Sequence, residues 1–221
     1  MLRSGPNSTS TNSRFHIYKT APTKNLLIAD SQARHLKAGN LNIISLPGAK
    51  VRDVYNFIPP KNEFDLIILF VGGNDLFNYS EPSYTPASQI ANEIIALANF
   101  LSDKAKHVFV LGIPERDQNK EQVEEVNKIL DKLAFRVPKT NPKVAWKFRS
   151  VSTFISGLRY YENDKIHLNS NGLNNLKNCI KERIFYKKYN KELHSKGNTS
   201  EIYCQTNQCS CPRLQWSQLN P

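Results

Sequence analysis

Short, mostly apolar runs alternate along the chain with longer stretches in which apolar residues recur every three or four positions. Five of the short runs are continuous, which is typical of strands buried on both faces of a parallel sheet. They lie at residues 26–28, 41–45, 64–71, 107–111 and 144–148. The third run is the strongest, because six consecutive apolar residues precede Gly72 and Gly73.

The longer stretches place their apolar residues on one face of a helix. They lie at residues 51–58, 90–101, 123–133 and 173–184. Strands that alternate with helices in this rhythm predict βαβ units, whose crossover helices cover both faces of a parallel sheet. We therefore expect an α/β protein: a three-layer α/β/α sandwich around a parallel sheet of about five strands.

The charge distribution divides the chain into a nearly neutral centre and basic flanks. The 221 residues carry a formal charge of +11, of which residues 25–176 contribute only +2. Residues 1–24 contribute +4 and residues 177–196 contribute +5. We predict a disordered basic arm at 1–24, one domain at 25–187 and a polar, cysteine-containing tail at 188–221. The basic flanks raise the hypothesis of nucleic-acid binding.

Composition removes several classes of protein. No apolar run is long enough to span a bilayer, and the polar N-terminal residues lack the apolar stretch of a signal peptide. We therefore expect a cytoplasmic or nuclear protein. Four cysteines in 221 residues do not make a disulfide scaffold. Cys204, Cys209 and Cys211, with His194 upstream, do not match the common zinc spacings, and we expect no metal and no cofactor.

Residues with chemical potential follow the predicted strands. Asp30 and Ser31 end the first run, and Gly48 follows the second. The segment Gly72-Gly73-Asn74-Asp75 follows the third run, and Asp164-Lys165-Ile166-His167 comes after the fifth. In parallel sheets, function gathers at the carboxyl ends of the strands, so we expect these residues to lie close together.

These blocks, in this order, resemble those of the SGNH (GDSL-type) hydrolase family. The family pattern is a Gly-Asp-Ser, a lone Gly, a Gly-x-Asn-Asp and a late Asp-x-x-His, and the resemblance covers residues 25 to about 187. It implies a flavodoxin-like α/β/α fold and a serine hydrolase that cleaves a small acyl ester without a cofactor. Two departures stand out: Ala29 replaces the family's first glycine, and Gln32 begins a segment unlike the usual Leu-Thr.

The resemblance also implies roles for individual residues. A serine hydroxyl needs an adjacent base to become a nucleophile, and an oxyanion needs donors that are already in place. By analogy, the nucleophile is Ser31, the base is His167 and the residue that orients the base is Asp164. The implied oxyanion donors are Ser31, Gly48 and Asn74, and the implied supporting residues are Asp30, Gly72 and Asp75.

Other interpretations stay open on the sequence alone. Ser31 could cap the helix that follows it, and Gly48 could serve only its turn. The alternative function is an SGNH-like nucleic-acid-binding module with weak or no hydrolase activity, for which a retroelement origin is one hypothesis. The sequence identifies neither the ester nor the oligomeric state.

Overall fold

A computed structural model describes residues 16–18, 23–38, 41–59, 64–76, 85–115, 119–134, 146–152 and 154–181, with the backbone alone at 16–18. These residues belong to one compact unit that ends at Glu182. The second unit, Arg183–Pro221, lies outside the described residues. The predicted tail, most of the predicted arm and the cysteines at 204, 209 and 211 therefore lie outside them too, and nucleic-acid binding by the flanks stays a prediction.

The described residues form a sheet of six strands. These are β1 (His16–Tyr18), β2 (Asn25–Asp30), β3 (Asn42–Leu46), β4 (Leu66–Phe70), β5 (Val108–Leu111) and β6 (Lys147–Arg149). Strands β2 to β6 are parallel to one another, which confirms the predicted parallel sheet. One strand, β1, was not predicted. It lies in the segment assigned to the arm and pairs antiparallel with β3.

The strand order is β1-β3-β2-β4-β5-β6. Its parallel part is the flavodoxin-like order. The chain goes from β2 to β3 on one side and then crosses to β4 on the other side of β2. The connections that leave β2 and β4 thus diverge, and they open a crevice at the carboxyl ends of these two neighbouring strands. Ser31 follows β2 directly and Asn74 follows β4 closely, so the topology places both at this crevice.

Helices cover the sheet because both of its faces are apolar. Helix α1 (Val51–Val54), α2 (Ala87–Ser102) and α3 (Lys120–Ala134) share one buried cluster with alternate residues of β2 to β5. The intervening strand residues, such as Leu27, Ile68 and Phe109, are also buried but belong to the opposite face. Helix α4, residues 170–181, adds buried Leu176 and Ile180, which lie outside the first cluster. The result is the predicted three-layer α/β/α sandwich.

Helices in the described part of the chain are all too short or too polar to cross a membrane.

Candidate active site

The nucleophile candidate lies in a tight turn at the end of β2. The strand ends at Asp30, and Ser31–Ala33 form one turn of 3₁₀ helix. Asp30 caps this turn, because its Oδ1 accepts a hydrogen bond from the Gln32 backbone N–H at 2.9 Å. The cap of this turn is therefore Asp30, and the alternative interpretation, in which Ser31 caps the helix that follows it, does not hold. Asp30 therefore orders the turn through this hydrogen bond.

Ala29 fits its position without strain. It is a strand residue of β2, fully buried, and lies opposite Ser45 on β3 and Phe70 on β4. It is not among the residues with a positive φ, so its backbone does not require glycine. The methyl group belongs to the core of the sheet, and the departure from the family pattern costs no backbone strain at this turn.

The base candidate lies on a hairpin that precedes α4. Tyr161 and Leu168 form an antiparallel bridge, and the Glu162 N–H donates to the His167 carbonyl at 2.7 Å. Between them the chain turns through Lys165, whose φ of 55° is left-handed. The hairpin thus places Asp164 and His167 on one short loop.

Asp164, His167 and Ser31 form a continuous chain of contacts. His167 Nδ1 lies 2.6 Å from Asp164 Oδ2, and His167 Nε2 lies 3.0 Å from Ser31 Oγ. A carboxylate only accepts hydrogen bonds, so Nδ1 carries the ring hydrogen and Nε2 is left to accept the Ser31 hydroxyl hydrogen. The structure therefore brings together three residues that span more than 130 positions of the sequence.

Asp164 is held in its ionised form. Burial alone would raise its pKa, but hydrogen bonds from the His167 ring, the His167 backbone and the Ile166 backbone lower the pKa to about 2. Its Oδ1 accepts both backbone N–H groups, at 2.8 and 2.9 Å, which leaves Oδ2 for the imidazole. The carboxylate is consequently fixed in orientation although 45% of its side chain is exposed.

Two further loops meet beside this chain. The turn after β3 contains Gly48, with a φ of 76°, and its N–H donates to none of the residues that the structure describes. Asn74, after β4, reaches this turn, since its Nδ2 donates to the Ala49 carbonyl at 2.9 Å. An amide NH₂ has two hydrogens, so Asn74 retains one for another acceptor.

Gly72 and Asp75 shape the loop that carries Asn74. Gly72 has a φ of 106°, and a Cβ there would lie 2.9 Å from Ile94 Cδ1 and 3.0 Å from Ile113 Cδ1. Only glycine suits that backbone and that space. Asp75 is buried, and its two carboxylate oxygens accept the Val51 N–H at the start of α1, at 3.2 and 3.1 Å. Gly72 therefore fits the loop against the core, and Asp75 joins the same loop to the start of α1.

Burial raises the pKa of Asp75 from 3.8 to about 6. The Val51 hydrogen bond lowers the pKa and nearby Glu93 raises it, with smaller contributions from Lys50 and Asp30 in opposite directions. The folded protein thus holds this proton more tightly than the unfolded chain does. In consequence, the contribution of Asp75 to stability is highest below pH 4 and is lost as the pH rises to 6.

We expect this titration to be visible in unfolding experiments. The rise in the pKa of Asp75 corresponds to about 3 kcal/mol in total, because a change of one in pKa is worth about 1.4 kcal/mol. Between pH 4 and pH 6 the wild type should lose about 2 kcal/mol of free energy of unfolding relative to Asp75→Asn, which has no proton to lose. Urea denaturation at each pH measures the difference. Equal pH dependence in the two proteins would contradict the assignment.

Three anchors of the site carry little or no sequence signal. Gln32 Nε2 donates to the Ile166 carbonyl at 2.6 Å, and the Tyr161 hydroxyl donates to the Glu115 carbonyl. Asn169 donates to the backbone carbonyls of Arg159, before the hairpin, and of Tyr161, at its start, and its Oδ1 caps the start of α4. Only Asn169 could have been found in the sequence, as an asparagine just before a helical pattern.

The arrangement is suited to acyl transfer. A hydroxyl, a ring nitrogen that can take its proton and a fixed carboxylate follow one another in hydrogen-bond contact. Donors from two neighbouring loops lie at the same edge of the sheet. Within the described ranges, no three His, Cys, Asp or Glu residues are placed to hold a metal ion.

Comparison with known proteins finds similarity in structure only. No family model matches the sequence, and no curated protein matches it well enough to count as a relative. Among solved structures, a GDSL-like lipase from Bacteroides thetaiotaomicron is similar over 74% of this chain and 89% of its own, at 15% identity and a TM-score of 0.56. Est24, a carbohydrate acetylesterase from Sinorhizobium meliloti, matches over 76% and 99%, at 17% identity and 0.54.

A third structure, the aryl esterase of M. smegmatis, covers 74% of this chain and 99% of its own, at 14% identity and a TM-score of 0.56. At identities this low, the similarity is evidence for the fold alone, and all three neighbours share that fold. The strand order, the layers and these neighbours agree: the chain has the three-layer α/β/α fold of the GDSL/SGNH-like hydrolases.

Proposed function

We propose that the protein is a serine hydrolase that cleaves an acyl ester, with Ser31 as nucleophile, His167 as general base and acid, and Asp164 as the residue that orients it. The observation that carries the proposal is the chain of contacts Asp164–His167–Ser31, at 2.6 and 3.0 Å, at the carboxyl edge of the sheet. The esterases and lipase that share the fold support the same class of reaction. The nearly neutral central segment suits an uncharged ester.

In the acylation half-reaction, Ser31 Oγ attacks the ester carbonyl carbon while His167 Nε2 takes the hydroxyl proton. Asp164 stabilises the imidazolium that forms, and its ionised state is secured by the hydrogen bonds that lower its pKa to about 2. The tetrahedral intermediate collapses when the carbon–oxygen bond to the alcohol breaks. His167 returns the proton to the departing alkoxide, and the alcohol is released. The acyl group stays bound to Ser31.

Deacylation repeats these steps with water. The water oxygen attacks the acyl carbon while His167 takes a proton from the water. The second tetrahedral intermediate then collapses and releases Ser31 Oγ, which regains its proton from His167. The products are a carboxylic acid and the free enzyme. The reaction consumes only the ester and water, so the atoms balance without a cofactor.

The oxyanion of each intermediate is stabilised by the backbone N–H groups of Ser31 and Gly48 and by the Asn74 side chain. Support comes from the Gly48 N–H, which has no acceptor among the described residues, and from the remaining hydrogen of Asn74 Nδ2. Donors that are already in place need no reorganisation as negative charge develops, which is why such groups contribute strongly to catalysis.

Replacement of Asn74 tests this oxyanion site. Asn74→Ala should lower kcat by about 10²- to 10³-fold with little change in KM, because the lost donor acts in the transition state. The matched control is Asn175→Ala on α4, since Asn175 Nδ2 also donates to a backbone carbonyl, that of Phe154 at 2.7 Å. Similar kcat values for the two variants would contradict the role of Asn74.

The proposed reaction is tested directly on the wild type. Purified protein should hydrolyse p-nitrophenyl acetate and should be labelled covalently by a fluorophosphonate probe, which reacts with activated serines. The absence of both activities would refute the proposal. Hydrolysis of acyl esters of increasing chain length would then define the acyl group.

A further inference from the structure

Gln32 lies at the junction between the nucleophile and the base. It follows Ser31 in the 3₁₀ turn, and its exposed fraction is only 2%. Its Nε2 donates to the carbonyl of Ile166, the residue before His167, at 2.6 Å. A carbonyl only accepts, so the amide nitrogen must face it. A single side chain thus joins the neighbour of the nucleophile to the neighbour of the base, across 134 positions of the sequence.

A buried glutamine at this position lowers the stability of the folded protein, because one of its polar atoms is left without a partner. The Gln32 Oε1 atom is buried and accepts no hydrogen bond within the described ranges. A buried polar atom without a partner is destabilising, whereas an apolar side chain of the same shape avoids that cost. Stability alone therefore favours leucine or methionine here, and the glutamine is better explained by what its donor holds in place.

The hairpin that carries the base needs such a link. Its tip holds Asp164 and Lys165 and is exposed to solvent. The Tyr161 hydroxyl and the Asn169 side chain anchor the two ends of the hairpin. At the tip, the Gln32 contact joins the hairpin to the turn of Ser31 next to the 3.0 Å Ser31–His167 contact itself.

We propose that Gln32 is a positioning residue, which holds the His167 hairpin at the distance and angle that the Ser31 proton transfer requires. The inference rests on the proposed function. Displacement of a reacting group by about 1 Å can cost about 100-fold in rate, so a tether one residue from each partner has a direct effect on kcat. Substrate binding does not involve this buried side chain, so KM does not depend on it.

The test is Gln32→Met, which keeps the volume and removes the donor and the unpaired acceptor together. We expect kcat and the rate of fluorophosphonate labelling to fall about 10- to 100-fold, KM to stay the same, and the free energy of unfolding to stay the same or rise. The backbone N–H groups of Ile166 and His167, which donate to Asp164, should exchange faster with deuterium because the tip is less ordered.

The matched control is Gln122→Met. Gln122 is also buried, and its Nε2 donates to a backbone carbonyl at the same distance of 2.6 Å, that of Thr85 beside α2. This variant should keep the wild-type kcat and the wild-type exchange of the hairpin. Wild-type kcat and exchange in Gln32→Met would overturn the proposal.

Failure of the proposed function and failure of a variant to fold can each be distinguished from failure of the positioning role. If the wild type itself is neither labelled nor active, the proposed function fails, and hydrogen exchange still reports whether Gln32 orders the hairpin. If Gln32→Met does not fold, Gln32→Leu repeats the test with a shorter, branched side chain of similar volume. Failure of both to fold while Gln122→Met folds would assign Gln32 to the core alone and would overturn the positioning role.

Discussion

Replacement of Ser31 by alanine should abolish covalent labelling by a fluorophosphonate and lower kcat for p-nitrophenyl acetate by about 10⁴- to 10⁶-fold. The reason is that the proposed acyl intermediate forms on Ser31 Oγ, which lies 3.0 Å from His167 Nε2, and alanine has no hydroxyl to take its place. Residual hydrolysis would come from the oxyanion donors alone.

The fold should survive this change. The 3₁₀ turn is capped by Asp30 and not by the Ser31 hydroxyl, so the free energy of unfolding should change by about 1 kcal/mol or less. Ser102→Ala is the matched control, because Ser102 is a buried serine that donates to the Ala98 carbonyl within α2. Labelling of Ser31→Ala at the wild-type rate would show that another serine is the nucleophile.

Asp164→Asn should lower kcat by about 10⁴-fold through a change of tautomer. Because Asp164 Oδ1 accepts the backbone N–H groups of Ile166 and His167, the carbonyl oxygen of an asparagine takes that place. Its NH₂ group then faces His167 Nδ1, which must become an acceptor. The ring hydrogen moves to Nε2, which can no longer take the Ser31 proton.

The control for this variant is Asp65→Asn. Asp65 pairs with Lys106 at 2.8 Å just before β4, at the end of the strand away from Asn74, so its loss changes a carboxylate without touching the base. Its kcat should match that of the wild type. A loss of less than tenfold in Asp164→Asn would mean that the orientation of His167 does not depend on the carboxylate.

The parallel core of the fold was predictable because each strand carries its own signal. Strands buried on both faces read as continuous apolar runs, and β2 to β5 follow the predicted runs within about two residues. The run at 144–148 is less exact, because β6 begins at Lys147 and ends at Arg149. Strand β1 has no such signal: three residues in a polar segment pair with the open edge of β3, whose unpaired backbone groups determine the contact.

The location of the candidate site was predictable for a related reason. In a parallel sheet every strand ends at the same edge, so residues that follow strands meet there whatever the loops between them. Ser31, Gly48 and Asn74 all follow strands in this way. Their catalytic roles remain predictions, which the variants above test.

The sequence by itself determined the class of fold, the edge of the sheet where function lies and the residues that could perform it. Periodicity and spacing are local, and these properties depend on local pattern. Only the tertiary structure decided that His167 reaches Ser31, that Asp75 holds the Val51 N–H and that Gln32 joins the two halves of the site. Each of these contacts joins residues at least 24 positions apart, and its geometry depends on how the intervening chain packs.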